Sequence, residues 1–407
     1  MSTELSTSSA VARWFKSRLW TSWFPERGRP LKSVLANLLF RLVWTPVAWP
    51  LTFVTSLVST VRLMRQSSAP EDPARPVLAV GNWIVGGAGK TPTCLAFAIG
   101  LAQSGWRPGI LSRGAGRVVV DDAPRILLPD ALGQWSPEDV GDEPWLLAWR
   151  SNCPVAVAAD RWAAAQALLA VRPEVNLFIL DDGLSQTSIR PHVRVLVIDD
   201  RLHGNGWLLP LGPLRQSWPP SSDHLPDFVV LRDGAPVEGV ARLIAPIQPP
   251  PEIGKLGLMS VALARPRRER DRIVSETVEF LDAAREWRIA DDRPVVALAG
   301  IARPDPFFDD LRRHHVRLVG TACLDDHAPA ALLEDAAIGL LRPLAGQAPV
   351  LLMTEKDAVK FFARRSFEHP DLAGVEWWAV AQRHRLFEDS LLEVHNRLKM
   401  RHGLQTS

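Results

Sequence analysis

Tyrosine is missing from this chain: none occurs among 407 residues, against 16 tryptophans and 14 phenylalanines. Chemistry that needs a phenol is therefore excluded. Cysteine is scarce. Cys94, Cys153 and Cys323 lie far apart and form no Cys-x-x-Cys pair. That excludes a disulfide framework and a thiolate zinc site, and reads as reduced, mostly buried thiols in a cytosolic setting. Neither sign of charge is in excess. Forty-seven Lys and Arg against 45 Asp and Glu leave a formal +2, so no global basic field argues for nucleic acid as a partner. Internal repeats and low-complexity tracts are lacking too. So is a secretory signal, since residues 1–30 have no early apolar core and no small-residue cleavage site.

What is present begins with length. A chain of 407 residues exceeds one ordinary core and suggests two domains. Residues 1–30 form a polar segment carrying Arg and the aromatics Trp14, Phe15, Trp20, Trp23 and Phe24. Residues 31–66 are apolar, and the twenty residues from Leu42 to Val61 carry no charge. That length would cross a bilayer. Pro46 and Pro50 interrupt it, six Ser/Thr dilute it, and Arg41, Arg62 and Arg65 flank it. Three readings stand: a helix lying in the membrane interface, a spanning helix, and a pair of core helices broken at the prolines. A linker rich in Pro, Ala and Asp follows, Ser67 to Pro76.

The chain is organised around Val77 to Pro92. Val77–Val80 is a short buried strand, Gly86-Gly87-Ala88-Gly89 a flexible turn, and Lys90-Thr91 the opening of a helix. Strand, glycine loop, Lys-Thr and helix make a phosphate-binding loop. Glycines let backbone N–H groups converge on phosphate oxygens, and the helix N-terminus adds partial positive charge. Lys90 would reach the β- and γ-phosphates, and the Thr91 hydroxyl would hold Mg²⁺. The strict pattern has one more glycine, where Ile84 stands.

From there apolar strands alternate with helices, which predicts an α/β protein with a parallel sheet. Residues 77–245 form a P-loop nucleotide-binding domain. The proline-rich Pro246–Pro251 marks a boundary or hinge, and residues 246–400 form a second, smaller α/β domain with a C-terminal helix over Phe387–Met400. Within the first domain, Val175–Leu180 is a buried strand ending in Asp181-Asp182-Gly183. Carboxylates at that place reach Mg²⁺ in phosphate-loop enzymes. Asp142-Glu143 opens a helix and reads as a capping pair or a catalytic one. Asp325-Asp326-His327 is equally open, and Arg113 and Arg215 are candidate phosphate clamps.

Taken together, these motifs resemble the tetraacyldisaccharide 4′-kinases. The resemblance rests on Val80-Gly81-Asn82 with Gly86 to Pro92, Ser112-Arg113-Gly114, and Gly141-Asp142-Glu143-Pro144. It continues through Asp181-Asp182-Gly183, Gly204 to Pro210 with Gly212-Pro213-Leu214-Arg215, Ala299 to Ala302, Asp326-His327 and Thr354-Glu355-Lys356-Asp357. The family also lacks the first loop glycine. The resemblance implies ATP as donor, with Mg²⁺, and an acylated glucosamine disaccharide 1-phosphate as acceptor at its 4′-hydroxyl, giving lipid IVA. It implies a monomer on the cytoplasmic face of the inner membrane, attached through the N-terminal helical segment. It implies two α/β domains that close on nucleotide, with Asp142 and His327 as the dyad that deprotonates the hydroxyl and Lys90 as a catalytic cation.

Four positions depart from the family pattern: Ala115 and Trp145 where Tyr is expected, Ser185 in place of Gln, and Gln216 in place of Glu. They predict retained fold and activity and bear on metal affinity. Two other readings remain. One is a different P-loop NTPase, such as a maturation GTPase; no Asn-Lys-x-Asp guanine motif is present. The other is a membrane-bound protein that holds nucleotide or lipid without turnover.

Overall fold

The computed structural model describes residues 4–24, 31–67, 75–87, 89–118, 123–186, 188–220, 224–232, 235–269, 272–279, 293–314, 316–386 and 388–401. Two helices come first, α1 (Glu4–Trp23) and α2 (Leu31–Ser67). The first α/β half runs β1 (Val77–Gly81), α3 (Lys90–Gln103), β2 (Pro108–Ser112), β3 (Arg125–Leu127), α4 (Pro137–Val140) and α5 (Asp142–Ser151). It continues with β4 (Val155–Val157), α6 (Arg161–Val171), β5 (Leu177–Asp181), β6 (Val193–Ile198), β7 (Phe228–Arg232) and α7 (Val237–Ile244). A long hairpin follows, β8 (Glu252–Glu269) and β9 (Arg272–Glu279). The second half is β10 (Val295–Ala299), α8 (Asp305–Arg313), β11 (Leu318–Cys323), α9 (Ala330–Leu341), β12 (Val350–Thr354), α10 (Glu355–Ala363), β13 (Glu376–Leu386) and α11 (Glu388–Arg401). The linker at 68–74 and Ala88 lie outside the described residues.

The sheet order is β11-β10-β12-β13-β8-β7-β6-β1-β5-β2-β4-β3, with β9 paired to β8. Both halves therefore share one sheet. Strands β1, β5 and β6 are buried at every residue, as expected for parallel strands covered by helices on both faces. Helix starts are capped locally: the Asp160 carboxylate accepts from Trp162 and Ala163 N–H at α6, and the Thr354 hydroxyl accepts from Asp357 N–H at α10.

Strand β8 sets the geometry of the site. Its first residues pair parallel with β7, as far as Arg232 against Leu256. From Leu256 onward it pairs antiparallel with β13, whose last residue, Leu386, also lies against Leu256. Hence the carboxyl ends of β7 and β13 meet at the same place. The strands of the two halves run toward each other, and their carboxyl ends face across a common cleft. In open α/β sheets ligands bind at those ends.

Two expectations need adjustment. Helix α2 runs without a break through Pro46 and Pro50. Each proline removes one donor, and a helix of 37 residues tolerates two such losses. The two-core-helix reading fails with it, because Leu42, Val43, Val47, Phe53 and Leu57 are exposed. Second, the β8–β9 hairpin begins immediately after Pro251. Its glycines and its run Arg265-Pro266-Arg267-Arg268 hide the alternation that signals a strand. As expected, α5 opens at Asp142, where Gly141 at φ 95° ends the preceding turn.

Candidate functional site

The phosphate loop joins β1 to α3. Gly89 caps α3 with φ 81°, a left-handed conformation that glycine adopts without strain. A Cβ there would collide with the Arg232 side chain. The Gly212–Arg215 segment braces the loop from outside: Val85 N–H donates to Pro213 O at 2.9 Å, and Arg215 N–H to Trp83 O at 2.8 Å. Asn82, beneath the loop, donates to Ile84 O at 2.8 Å.

Across from the loop, at the end of β5, stand Asp181 and Asp182. Asp182 lies in the left-handed region at φ 51°, which turns its carboxylate back toward the loop. There it pairs with Lys90 Nζ at 2.9 Å and with Arg215 Nη1 at 2.9 Å. Burial opposes its ionisation, but these two cations outweigh burial and hold its pKa below the usual 3.8. Asp181 differs. It is 4% exposed, and it accepts a hydrogen bond from Ser112 Oγ at 3.1 Å. Burial first, then Glu143 and Asp182, push its pKa up to about 7. A buried carboxylate beside other carboxylates, with no ion pair among the described residues, is the environment a divalent cation neutralises. Asp181, Asp182 and the Thr91 hydroxyl therefore fit Mg²⁺ that takes its remaining ligands from phosphate and water. They do not form an all-protein cage: no group of three His, Cys, Asp or Glu side chains suited to a metal occurs among the described residues.

The second cluster straddles the two halves. Asp142, first residue of α5 and 4% exposed, meets His327 from the loop after β11: Oδ2 to Nδ1 is 3.2 Å. His327 is held at φ 61°, an uncommon conformation for a non-glycine residue. Two lysines of α10 complete the cluster. Lys360 Nζ lies 3.2 Å from Asp142 Oδ2. Lys356 Nζ reaches Glu143 at 3.2 Å, Asp326 at 3.1 Å and His327 Nε2 at 3.3 Å. An ammonium only donates, so Lys356 selects the imidazole tautomer with its proton on Nδ1, and that proton is donated to Asp142. Burial alone would raise the Asp142 pKa. The His327 hydrogen bond and the two ammonium groups overcome it and bring the pKa to about 2. The His327 pKa moves above 6.5 through its bond to Asp142, against burial and Lys356.

One segment ties the clusters together. Ser112 holds Asp181, and Gly116 packs on the dyad: a Cβ on Gly116 would lie 3.0 Å from His327 Nδ1 and 3.7 Å from Asp142 Oδ1. Four residue steps separate them, at most about 14 Å of backbone.

A family model described as tetraacyldisaccharide-1-P 4′-kinase matches residues 44–398. The chain belongs to the tetraacyldisaccharide-1-P 4′-kinase family. Curated relatives carry the name tetraacyldisaccharide 4′-kinase. That of Herminiimonas arsenicoxydans is 37% identical over 79% of this chain and 85% of its own length. That of Dechloromonas aromatica is 37% identical over 86% of this chain and 89% of its own. The fold is similar to that of LpxK from Aquifex aeolicus, solved with ATP, at TM-score 0.61 and 22% identity, covering 86% of this chain and 98% of that one.

Within this kinase family member, the residues expected from sequence fall in three groups. Lys90, Asp182 and Arg215 come together at the loop, with Gly86, Gly87, Gly89 and Thr91 around them. Asp142 and His327 come together at the second cluster. Arg113 stays apart: it is exposed and makes no ion pair among the described residues. The departing residues take no part in either set of contacts. Trp145 is buried and its indole N–H donates to Trp135 O at 3.0 Å; Ser185 ends a short turn; Gln216 is 5% exposed. Sequence reasoning gave no role to Lys356 and Lys360. Their signal was the Thr-Glu-Lys-Asp motif after β12, with Lys360 one helical turn beyond Lys356. One stretch among the described residues, Ala36–Arg62 in α2, is long and apolar enough to cross a membrane.

Proposed function

We propose that this chain transfers the γ-phosphoryl group of ATP to the 4′-hydroxyl of a tetraacyl glucosamine disaccharide 1-phosphate, forming lipid IVA. The observation that carries this reading is a phosphate loop in one half together with a carboxylate–imidazole pair, Asp142 and His327, that joins the two halves whose strand ends face one another. A sugar hydroxyl is a poor nucleophile and needs a base. Asp142 and His327 accept its proton as the oxygen attacks the γ-phosphorus. The new O–P bond forms, the β–γ bridge breaks, and ADP leaves. Lys90 and Arg215 are released from Asp182 to the phosphates and stabilise the charge on the transferring group. Thr91, Asp181 and Asp182 would hold Mg²⁺, which would neutralise phosphate charge. Lys356 and Lys360 keep Asp142 ionised and oriented.

The two halves, divided near residues 246–251, act as domains that close on nucleotide. One copy carries every named group, which supports a monomer. The exposed apolar side chains of α2 support attachment to a membrane, and ATP as donor puts the catalytic halves on the cytoplasmic face of the inner membrane. Mass spectrometry of the disaccharide incubated with ATP in detergent tests the reading. A gain of one phosphate with the parent, and none with Lys90→Ala, is expected. No product from a folded, ATP-binding parent would overturn it in favour of a binding protein without turnover.

A further inference from the structure

Arg201 follows β6 and belongs to neither cluster described above. Its guanidinium is nonetheless fully engaged. Nη1 donates to Val85 O at 3.3 Å and Nη2 to Gly87 O at 3.1 Å, both in the phosphate loop. Nε and Nη2 pair with Asp199 at 2.9 and 2.6 Å. The rings of Trp20 and Phe24, at the end of α1, lie 5.5 and 5.4 Å from its Cζ. The Arg201 side chain is only 5% exposed. Trp20 also touches the loop itself: a Cβ on Gly86 would lie 3.4 Å from the indole and 3.1 Å from Arg201 Nη1.

In a trans peptide the C=O and the following N–H point opposite ways. Drawing the Val85 carbonyl toward Arg201 therefore turns the Gly86 N–H away from it. A phosphate loop works by aiming such N–H groups at oxygens, and glycines leave those planes free to rotate. A planar fork with several donors suits the task of holding two carbonyls and a carboxylate at once; a lysine does not. The helix that supplies the aromatic rings is anchored nearby, with Trp23 Nε1 donating to Pro210 O at 3.1 Å and Asn205 Nδ2 to Ser22 O at 3.3 Å.

We infer that Arg201 is a positioning residue for the phosphate loop, and that Trp20 and Phe24 make its hold depend on the docking of α1. The inference rests on the ATP-dependent reading above. Nucleotide affinity is thereby coupled to the seating of the N-terminal helices.

The test uses the full-length protein in detergent, with ATP titrated calorimetrically and KM and kcat measured alongside. Arg201→Met should weaken ATP binding about tenfold, as expected for lost charge-assisted hydrogen bonds. It should leave the KM for the disaccharide unchanged and lower kcat at saturating ATP by less than it lowers affinity. Arg201→Lys should fall between parent and Met. Trp20→Ala should weaken ATP binding about threefold, in line with loss of one cation–π contact. Because Trp20 acts through Arg201, Trp20→Ala should cost nothing further when added to Arg201→Met. Unchanged ATP affinity in Arg201→Met, or in Arg201→Lys and Trp20→Ala should the Met variant not fold, would overturn the inference. So would additive losses in the double variant. Because the readout is binding, a parent that binds ATP without turnover would sink the kinase reading and leave this comparison standing.

Discussion

The phosphate-loop cluster and the Asp142 cluster are built from similar parts and differ in how the chain assembles them. Both have a carboxylate ringed by cations. In both, a non-glycine residue is held in the left-handed region, Asp182 at φ 51° and His327 at φ 61°. The first cluster is made within one half, on adjacent strands β1 and β5. The second joins residues 185 positions apart that share no secondary-structure element and meet only because β8 turns the two halves face to face. The first is therefore a binding device that exists in one half alone. The second is a catalytic device that exists only while the halves are together.

That contrast is tested most strongly by Asp142→Asn. It should lower kcat about a thousandfold, as for loss of a general base, with ATP affinity close to the parent's. Lys90→Ala should instead weaken ATP binding as well as turnover, because Lys90 reaches the phosphates, with kcat/KM for ATP down about a hundredfold or more. Should Asp142→Asn weaken ATP binding as much as it lowers kcat, the two regions would be one device.

A smaller effect sharpens the second cluster. Asp142, with its pKa near 2, is ionised across the neutral range, so at saturating Mg²⁺, which keeps Asp181 ionised, the dyad's share of an acid limb near neutrality comes from His327. Lys356 opposes protonation of His327. In Lys356→Met the His327 pKa should rise, and the acid limb of kcat should move to higher pH. A limb that stays put or moves lower would remove Lys356 from the dyad.

Stability should follow the same groups. The folded-state pKa of His327 is raised, so its contribution is fully present below the unfolded value near 6.5 and fades as pH rises through the raised value. Melting temperatures at pH 6 and pH 9 should differ more for the parent than for His327→Asn. Equal differences would mean that His327 gains nothing from the fold.

The smallest effect concerns the metal. Gln216→Glu places a carboxylate beside Arg215 and should lower the Mg²⁺ concentration for half-maximal activity about threefold. No change would show that the position is not in contact with the metal.

The same contrast explains what was legible in the amino-acid sequence. Val77–Thr91 is local: an apolar run, glycines and Lys-Thr declare a phosphate loop by their order alone, and Asp181-Asp182 follows an equally plain strand. Asp142 is different. Seen locally it is a helix-capping carboxylate, and nothing in its neighbourhood points to His327; the family resemblance supplied the pair. Lys356 stood only within the Thr354-Glu355-Lys356-Asp357 motif and Lys360 in no motif, because their role comes from what α10 faces. The hairpin β8–β9, which decides that facing, was hidden by prolines before it and arginines within it. Helix α2 was legible as apolar. Its continuity through Pro46 and Pro50 was not, since local rules penalise each proline without weighing the 37 residues around them.

The most direct test of this division is a single-turnover experiment with Asp142→Asn, ATP and tetraacyl disaccharide 1-phosphate in detergent, with ATP binding measured on the same sample. Parental ATP affinity with almost no phosphorylated lipid is the result this account predicts. Phosphorylated lipid formed at the parental rate would contradict it, and would move the base for the 4′-hydroxyl away from the Asp142–His327 pair.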